Sequence, residues 1–410
     1  MVLSYQKTHI NFVSDFLHIT NINKIIMKKI ALILGIASIA VLPSCKKQGC
    51  TDQNATNYNS EAEKDDGSCI YDQGYDIPNT YTFYDSNGNN TVSFSGQTAR
   101  MDMLSEMTSY LKTANTSGGS NQLDGAILLS MYDNSYLGWS DQDLVDNGKQ
   151  LKSKTAMQDI GVQEQFETWM TEAAAATPPT EVGHYHQAAS GHEWTQLIEK
   201  GLMSACFASQ MTANYLANIT SDDNTAAIDP QGDKFYTQME HHWDEAYGYF
   251  TDTTNYPTNG TNRFWGKYAY NTLNTILGSA DAISLAFRTG RAAISAGFTQ
   301  DVPAQVTIIQ AEVRKMVAGM AIHYLNSTKQ KVADGESQNK VNHYLSEAWA
   351  FIYGIQFCQD ADMTPTEVTD ILAGIDANFE GFSQSIISIN SVIDTIVAAT
   401  DITAAQAADL

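Results

Sequence analysis

Met103, Leu104, Met107, Tyr110 and Leu111 recur at three- and four-residue steps, the spacing that lines apolar side chains along one stripe of a helix. Ser95 or Gln97 is placed to open this segment, and "SGGSN" closes it. The same period returns near 123–133, 149–175, 190–219, 233–250, 262–298, 302–327, 336–358, 364–378 and 381–397. Pro178-Pro179 separates the early segments from the rest, and a total of 8 prolines suits long helices. The one β signal is "NTYTFYDSNGNNTVSF", where two short runs flank Asn87-Gly88; it predicts a hairpin from Tyr81 to Phe94. The pattern therefore predicts an all-α, two-lobed bundle of about ten helices with a small N-terminal hairpin.

An internal echo refines this. Aligning Glu245 with Glu347 places His241 on His343, Trp243 on Leu345, Ala246 on Ala348, Tyr247 on Trp349 and Phe250 on Ile352. Upstream, "MTANYLANIT" matches "MAIHYLNST". Two related helical hairpins, within pseudo-repeats of about 190–300 and 302–400, account for both matches.

The echo carries the candidate chemistry. With about 100° per residue, "EHHWDEAYGYF" puts Trp243, Ala246, Tyr247 and Phe250 on a buried face. His242 and Glu245 lie on the stripe beside it, His241 at its far edge, and Glu240 and Asp244 further out. In the second copy Leu345, Ala348, Trp349 and Ile352 are buried, with His343 and Glu347 alongside. A His and a carboxylate three or four apart reach one point over a helix and form half of a metal site in many bundles. Glu193 is the first candidate to complete it and His192 the next, while His184 and His186 of "GHYH" sit in a loop able to close over it. Iron or zinc suits such ligands. The competing reading is that each pair makes one hydrogen bond that holds two helices in register.

Composition narrows the partners. The chain has 410 residues, 43% of them hydrophobic, and a formal charge of -23 from 23 Lys+Arg and 46 Asp+Glu. That balance argues against a nucleic-acid backbone as partner. Lys28 and Lys29 precede the apolar "IALILGIASIAVLPSC", which reads as an export signal. Leu42-Pro43-Ser44-Cys45 resembles the bacterial lipobox, which implies cleavage before Cys45 and its acylation. Residues 1–44 are then an over-extended start plus signal peptide, 45–75 an acylated module and 76–400 the helical domain. The expected attachment is to the outer membrane through the lipid, on the periplasmic face, because Lys46-Lys47-Gln48 carries no acidic tag for surface export.

Cys50 and Cys69 bracket a polar segment that an oxidising compartment would clip with a disulfide. Cys206 and Cys358 lie in apolar helical contexts and read as core. "GCTDQNATNYNSEAEKDDGSCIY" resembles a short Cys-bracketed module of secreted and surface bacterial proteins. Asp52, Asn54, Asn57, Asn59, Asp65 and Asp66 offer oxygens to calcium. The spacing departs from an EF-hand loop, and a disulfide-pinned spacer is the alternative.

Four phrases in order, "FSGQTARMDML", "EWTQLIEKGLMSACF", "HWDEAYGYF" and "HYLSEAWAFIYG", resemble bacterial lipoproteins related to the imelysins and known as a domain of unknown function. The imelysin signature is Gly-x-His-x-x-Glu; His242 and Glu245 match it, and Glu240 stands at the glycine position. The resemblance implies an exported, two-bundle protein of iron physiology that binds a metal or an iron complex, with an outer-membrane transporter as a possible partner. Imelysins were once classed as metallopeptidases, but no His-Glu-x-x-His helix is present. A third reading is capture of a glycan or protein partner through aromatics such as Trp139 or Trp265.

Overall fold

The computed structural model describes residues 47–51, 53, 58–64, 74–115, 121–257 and 263–410, in two units, Met1–Gly74 and Tyr75–Leu410. In the first unit, Cys50 is buried and disulfide-bonded. A parallel bridge joins Gln48 to Lys64. The Asn59 side-chain oxygen accepts the Glu61 amide at 3.0 Å, which closes a local turn. Cys45, Asp52, Asn54, Asn57, Asp65, Asp66 and Cys69 lie outside the described residues.

The second unit is an all-α bundle. Its helices are α1 (Ser95–Lys112), α2 (Gly125–Asp133), α3 (Ile160–Ala175), α4 (Trp194–Leu202), α5 (Gln238–Phe250), α6 (Phe264–Tyr268) and α7 (Asn274–Leu277). They continue with α8 (Ser279–Ala296), α9 (Val302–Ala333), α10 (Gln338–Gly354), α11 (Pro365–Asp376), α12 (Phe379–Ser383), α13 (Ile386–Ala399) and α14 (Ala404–Asp409). Local chemistry sets many of the starts. Asp124 and Asp159 cap α2 and α3 through the Ala126 and Val162 amides. Thr237 with Glu240, Thr364 with Glu367 and Thr403 with Gln406 form capping boxes on α5, α11 and α14. Past Leu202 the α4 rod continues as wider π-helical turns, Met203–Ala208 and Gln210–Leu216.

Boundaries differ from the sequence pattern where a cap or a positive φ intervenes. The segment expected from 149 becomes a short 3-10 stretch, and Ala156, Met157 and Gln158 have φ of 46°, 55° and 70°. Helix α3 then begins only after its cap, Asp159. Likewise α5 starts at its capping box and not at 233. Gly278, at φ 70°, divides the 262–298 segment.

The hairpin is narrower than its sequence signal. One antiparallel bridge, Tyr84 to Asn90, is formed, and no strand is built among the described residues. The Asp85 side chain accepts the Asn87 and Asn89 amides, both at 2.8 Å, and so tightens the turn without a ladder. Tyr81 stacks on Tyr247 at 3.6 Å, which fastens the turn to α5.

Both echoing segments are helical hairpins. The π-helical end of the α4 rod packs on α5, and α9 packs on α10. Trp243, Ala246, Tyr247 and Phe250, with Leu345, Ala348, Trp349 and Ile352, enter one shared core as expected. A side chain such as Phe250 gains about 1.5–3 kcal/mol from full burial. Helix α8 approaches so closely that a Cβ on Gly290 would lie 2.1 Å from the Trp243 ring. Cys206 and Cys358 are buried free thiols, each pushed up to about 12 by burial. Trp139 and Trp265 are core residues, their indoles donating to Asn134 Oδ1 and the Met203 carbonyl. They therefore offer no surface for a glycan.

A candidate ligand cavity

The first copy of the echo is closed upon itself. Glu240 and Asp244 point inward, contrary to the helical-wheel expectation. A cation draws them in: Arg291 on α8 donates from Nη1 to Glu240 Oε1 at 2.6 Å and from Nε to Asp244 Oδ1 at 2.9 Å. Its remaining N–H groups reach Ser295 Oγ and the carbonyl and hydroxyl of Thr91. All five donors are used. Burial pushes the Asp244 carboxyl up, to about 6, against the pull of Arg291 and of the Tyr81 and Ser93 donors.

His242 and Glu245 do not meet. His242 Nδ1 lies 2.8 Å from Asp222 Oδ2 in the preceding linker, while Glu245 accepts Gln97 Nε2 at 2.9 Å. It is His241, one turn before Glu245, whose Nε2 sits 3.9 Å from it, with Tyr236 stacked on the imidazole at 4.7 Å. The i,i+4 pair thus replaces the i,i+3 pair that the signature suggested.

The second copy repeats that geometry and opens it. His343 Nε2 is 3.7 Å from Glu347, and Tyr185 stacks on its ring at 4.0 Å. Glu193 joins as expected: its carboxylate lies 2.5 Å from His343 Nδ1. Helix α4 positions it, because Glu193 is the residue before the first turn and its amide is held by Ser346 Oγ at 2.8 Å. Two further charges follow on α4. Lys200 bonds Glu199 at 2.9 Å and stands 3.8 Å from Glu347. Burial works against the Lys200 ammonium, but Glu199 and Glu347 outweigh it and hold its pKa above the usual lysine range. Burial raises Glu347, and Lys200 and His343 offset this only in part.

These groups line a cavity of about 670 Å³ with Tyr268, Tyr324, Asn115 and His184. A neighbouring hollow of about 440 Å³ shares Lys112, Glu199, Lys200, Lys267 and Tyr268 with it. Lys112 and Lys267 are exposed, and neither ammonium has a hydrogen bond or ion pair among the described residues. His192 turns away to Asp376 at 3.0 Å, and the His186 ring is buried outside the cavity. Lys112, Glu199, Lys200 and Lys267 were not foreseen. The signal for Lys200 lay in the stripe Glu193, Gln196, Lys200 at three- and four-residue steps along α4.

A bare metal ion does not suit this donor set. Glu193 and Glu347 face opposite nitrogens of His343, so the three share no common point, and Lys200 already faces Glu347. Among the described residues no three His, Cys, Asp or Glu side chains form a metal-ligating group. The ring instead has the surroundings of an imidazolium between two carboxylates. Burial lowers the His343 pKa, but the Glu193 hydrogen bond and the charges of Glu193 and Glu347 raise it more, for a net rise. Its contribution to stability is then full below the unfolded value of about 6.5 and fades as pH rises through the higher folded value. We expect the stability difference between the wild type and His343→Gln, from urea melts across pH, to shrink toward alkaline pH. A flat difference would contradict the imidazolium.

The chain matches the family model described as Domain of unknown function (DUF4856) over residues 78–178 and 157–399. It belongs to that family. No curated protein matches it, and no solved structure does.

Proposed function

We propose that this chain is a lipid-anchored, exported binding protein whose helical domain captures a small solute bearing negatively charged oxygens. A ferric chelate is the case raised by the imelysin resemblance, with delivery to an outer-membrane transporter from the periplasmic face. The observation that supports this most is the pair of ammonium groups, Lys112 and Lys267, without a hydrogen bond or ion pair among the described residues, at the rim of a polar cavity in a chain of charge -23. The floor groups are held by buried pairs, which lowers the ordering cost of taking up a ligand. A chelate brings its own metal, so the chain need supply no ligand set. Titration calorimetry with ferric citrate and with citrate alone tests this. Binding is expected to weaken by about tenfold, about 1.4 kcal/mol, in Lys112→Met/Lys267→Met. Failure of both probes to bind at millimolar concentration would rule out the ferric chelate as the solute.

A further inference from the structure

The cavity floor is at least one positive charge short. Glu193, Glu199 and Glu347 supply three carboxylates, against which stand Lys200 and the ring of His343. Two of the carboxylates are well served: Glu193 by His343 and Gln196, and Glu199 by Lys200. Glu347 is not. It is buried to 6% exposure, its nearest cations stand at 3.7 and 3.8 Å, and it accepts no hydrogen bond among the described residues. Its oxygens are not sealed off but open onto the cavity, so their donors must come from whatever fills it. Close by, Gln196 gives its Nε2 to Glu193, and its buried Oε1 has no partner among the described residues. Acceptors are thus in surplus at the floor, and ammonium groups are in surplus at the rim.

We infer that the ligand is a small amino-carboxylate, entering ammonium first to donate to Glu347, with its carboxylate left at the rim between Lys112 and Lys267. This rests on the reading of the cavity as a solute site and adds the polarity of the solute. An ammonium supplies the missing charge and the missing donor together, whereas a hydroxyl supplies only the donor. Tyr268 and Tyr324 line the same cavity, and aromatic faces favour a cation over a neutral group.

The test is calorimetry on the full exported chain with glycine, γ-aminobutyrate and ε-aminocaproate, so that no span is assumed. The deaminated and decarboxylated counterparts of each, caproate and pentylamine for the longest, are titrated beside them. At least one amino acid is expected to bind about tenfold or more tightly than either counterpart. Glu347→Gln is expected to erase its advantage over the carboxylate, and Lys112→Met/Lys267→Met its advantage over the amine. The analogue series needs no variant, so a poorly folding mutant does not leave the question open. If the deaminated acids bind as tightly as the amino acids, the inference is wrong and the anion-binding reading survives. If an ε-hydroxycaproate control matches ε-aminocaproate, the ammonium is likewise ruled out. If neither these probes nor ferric citrate binds, the solute reading itself falls.

Discussion

Arg291→Met will lower the stability of the helical domain by about 3–5 kcal/mol, the usual loss when one partner of a buried ion pair is removed. Arg291 and Asp244 are both without solvent exposure, and Glu240 is 7% exposed. The replacement leaves two carboxylates facing an apolar space, with Tyr81 and Ser93 as the remaining donors to Asp244. It also frees the α5 capping box, since Glu240 serves both Arg291 and the Thr237 amide. The direction with pH follows. Without the guanidinium the folded pKa of Asp244 moves further above its unfolded value. The deficit is then absent below the unfolded value and grows as pH rises through the folded one. Urea melts followed by tryptophan fluorescence should show a larger loss at about pH 8 than at about pH 5. Adding Glu240→Gln and Asp244→Asn should restore most of it. An Arg291→Met protein as stable as wild type would contradict the buried network.

Lys200→Met has a comparable expected cost, about 3–5 kcal/mol, for the same reason. Its ammonium is the near partner of both Glu199 and Glu347, and all three side chains are largely buried. Burial already raises Glu347, and in Glu199 the lysines overcome it to give a net lowering. Removing Lys200 drives both folded pKa values up. The variant should therefore approach wild-type stability in acid and fall away as pH rises. A second readout separates this from the Arg291 case: Lys200→Met should also weaken ferric citrate, because the cavity loses a cation. Arg291 does not line the cavity, so any Arg291 variant that remains folded at the assay pH should bind as wild type does. Unaltered binding by Lys200→Met would place Lys200 in the scaffold alone.

The fold was readable because helical period is a local property. Met103 to Leu111 and Trp243 to Phe250 announce their buried faces without any partner in view. What failed was local in another way. A single cap, Asp159 or Thr237, overrides a hydrophobic run, and the Asp85 side chain completes a turn that the sequence presented as paired strands. The site was harder, since ion pairs join residues far apart. Nothing near Asp244 tells the reader that Arg291 will draw it inside. The His343–Glu347 pair was legible from spacing, and Glu193 as a carboxylate outside that helix able to complete it. Spacing says which side chains are near and not which nitrogen each one faces, so it does not disclose that Glu193 and Glu347 lie on opposite sides of the His343 ring.

The two tyrosine-stacked histidines show what the bundle does with one motif used twice. Around His241 the carboxylates are matched, Glu245 by Gln97 and Glu240 and Asp244 by Arg291, so that half behaves as a keel. Around His343 one carboxylate is still waiting. Evolutionary change in what the protein recognises would then concentrate on the second hairpin and the rim above it, while the first hairpin stays under pressure simply to remain folded.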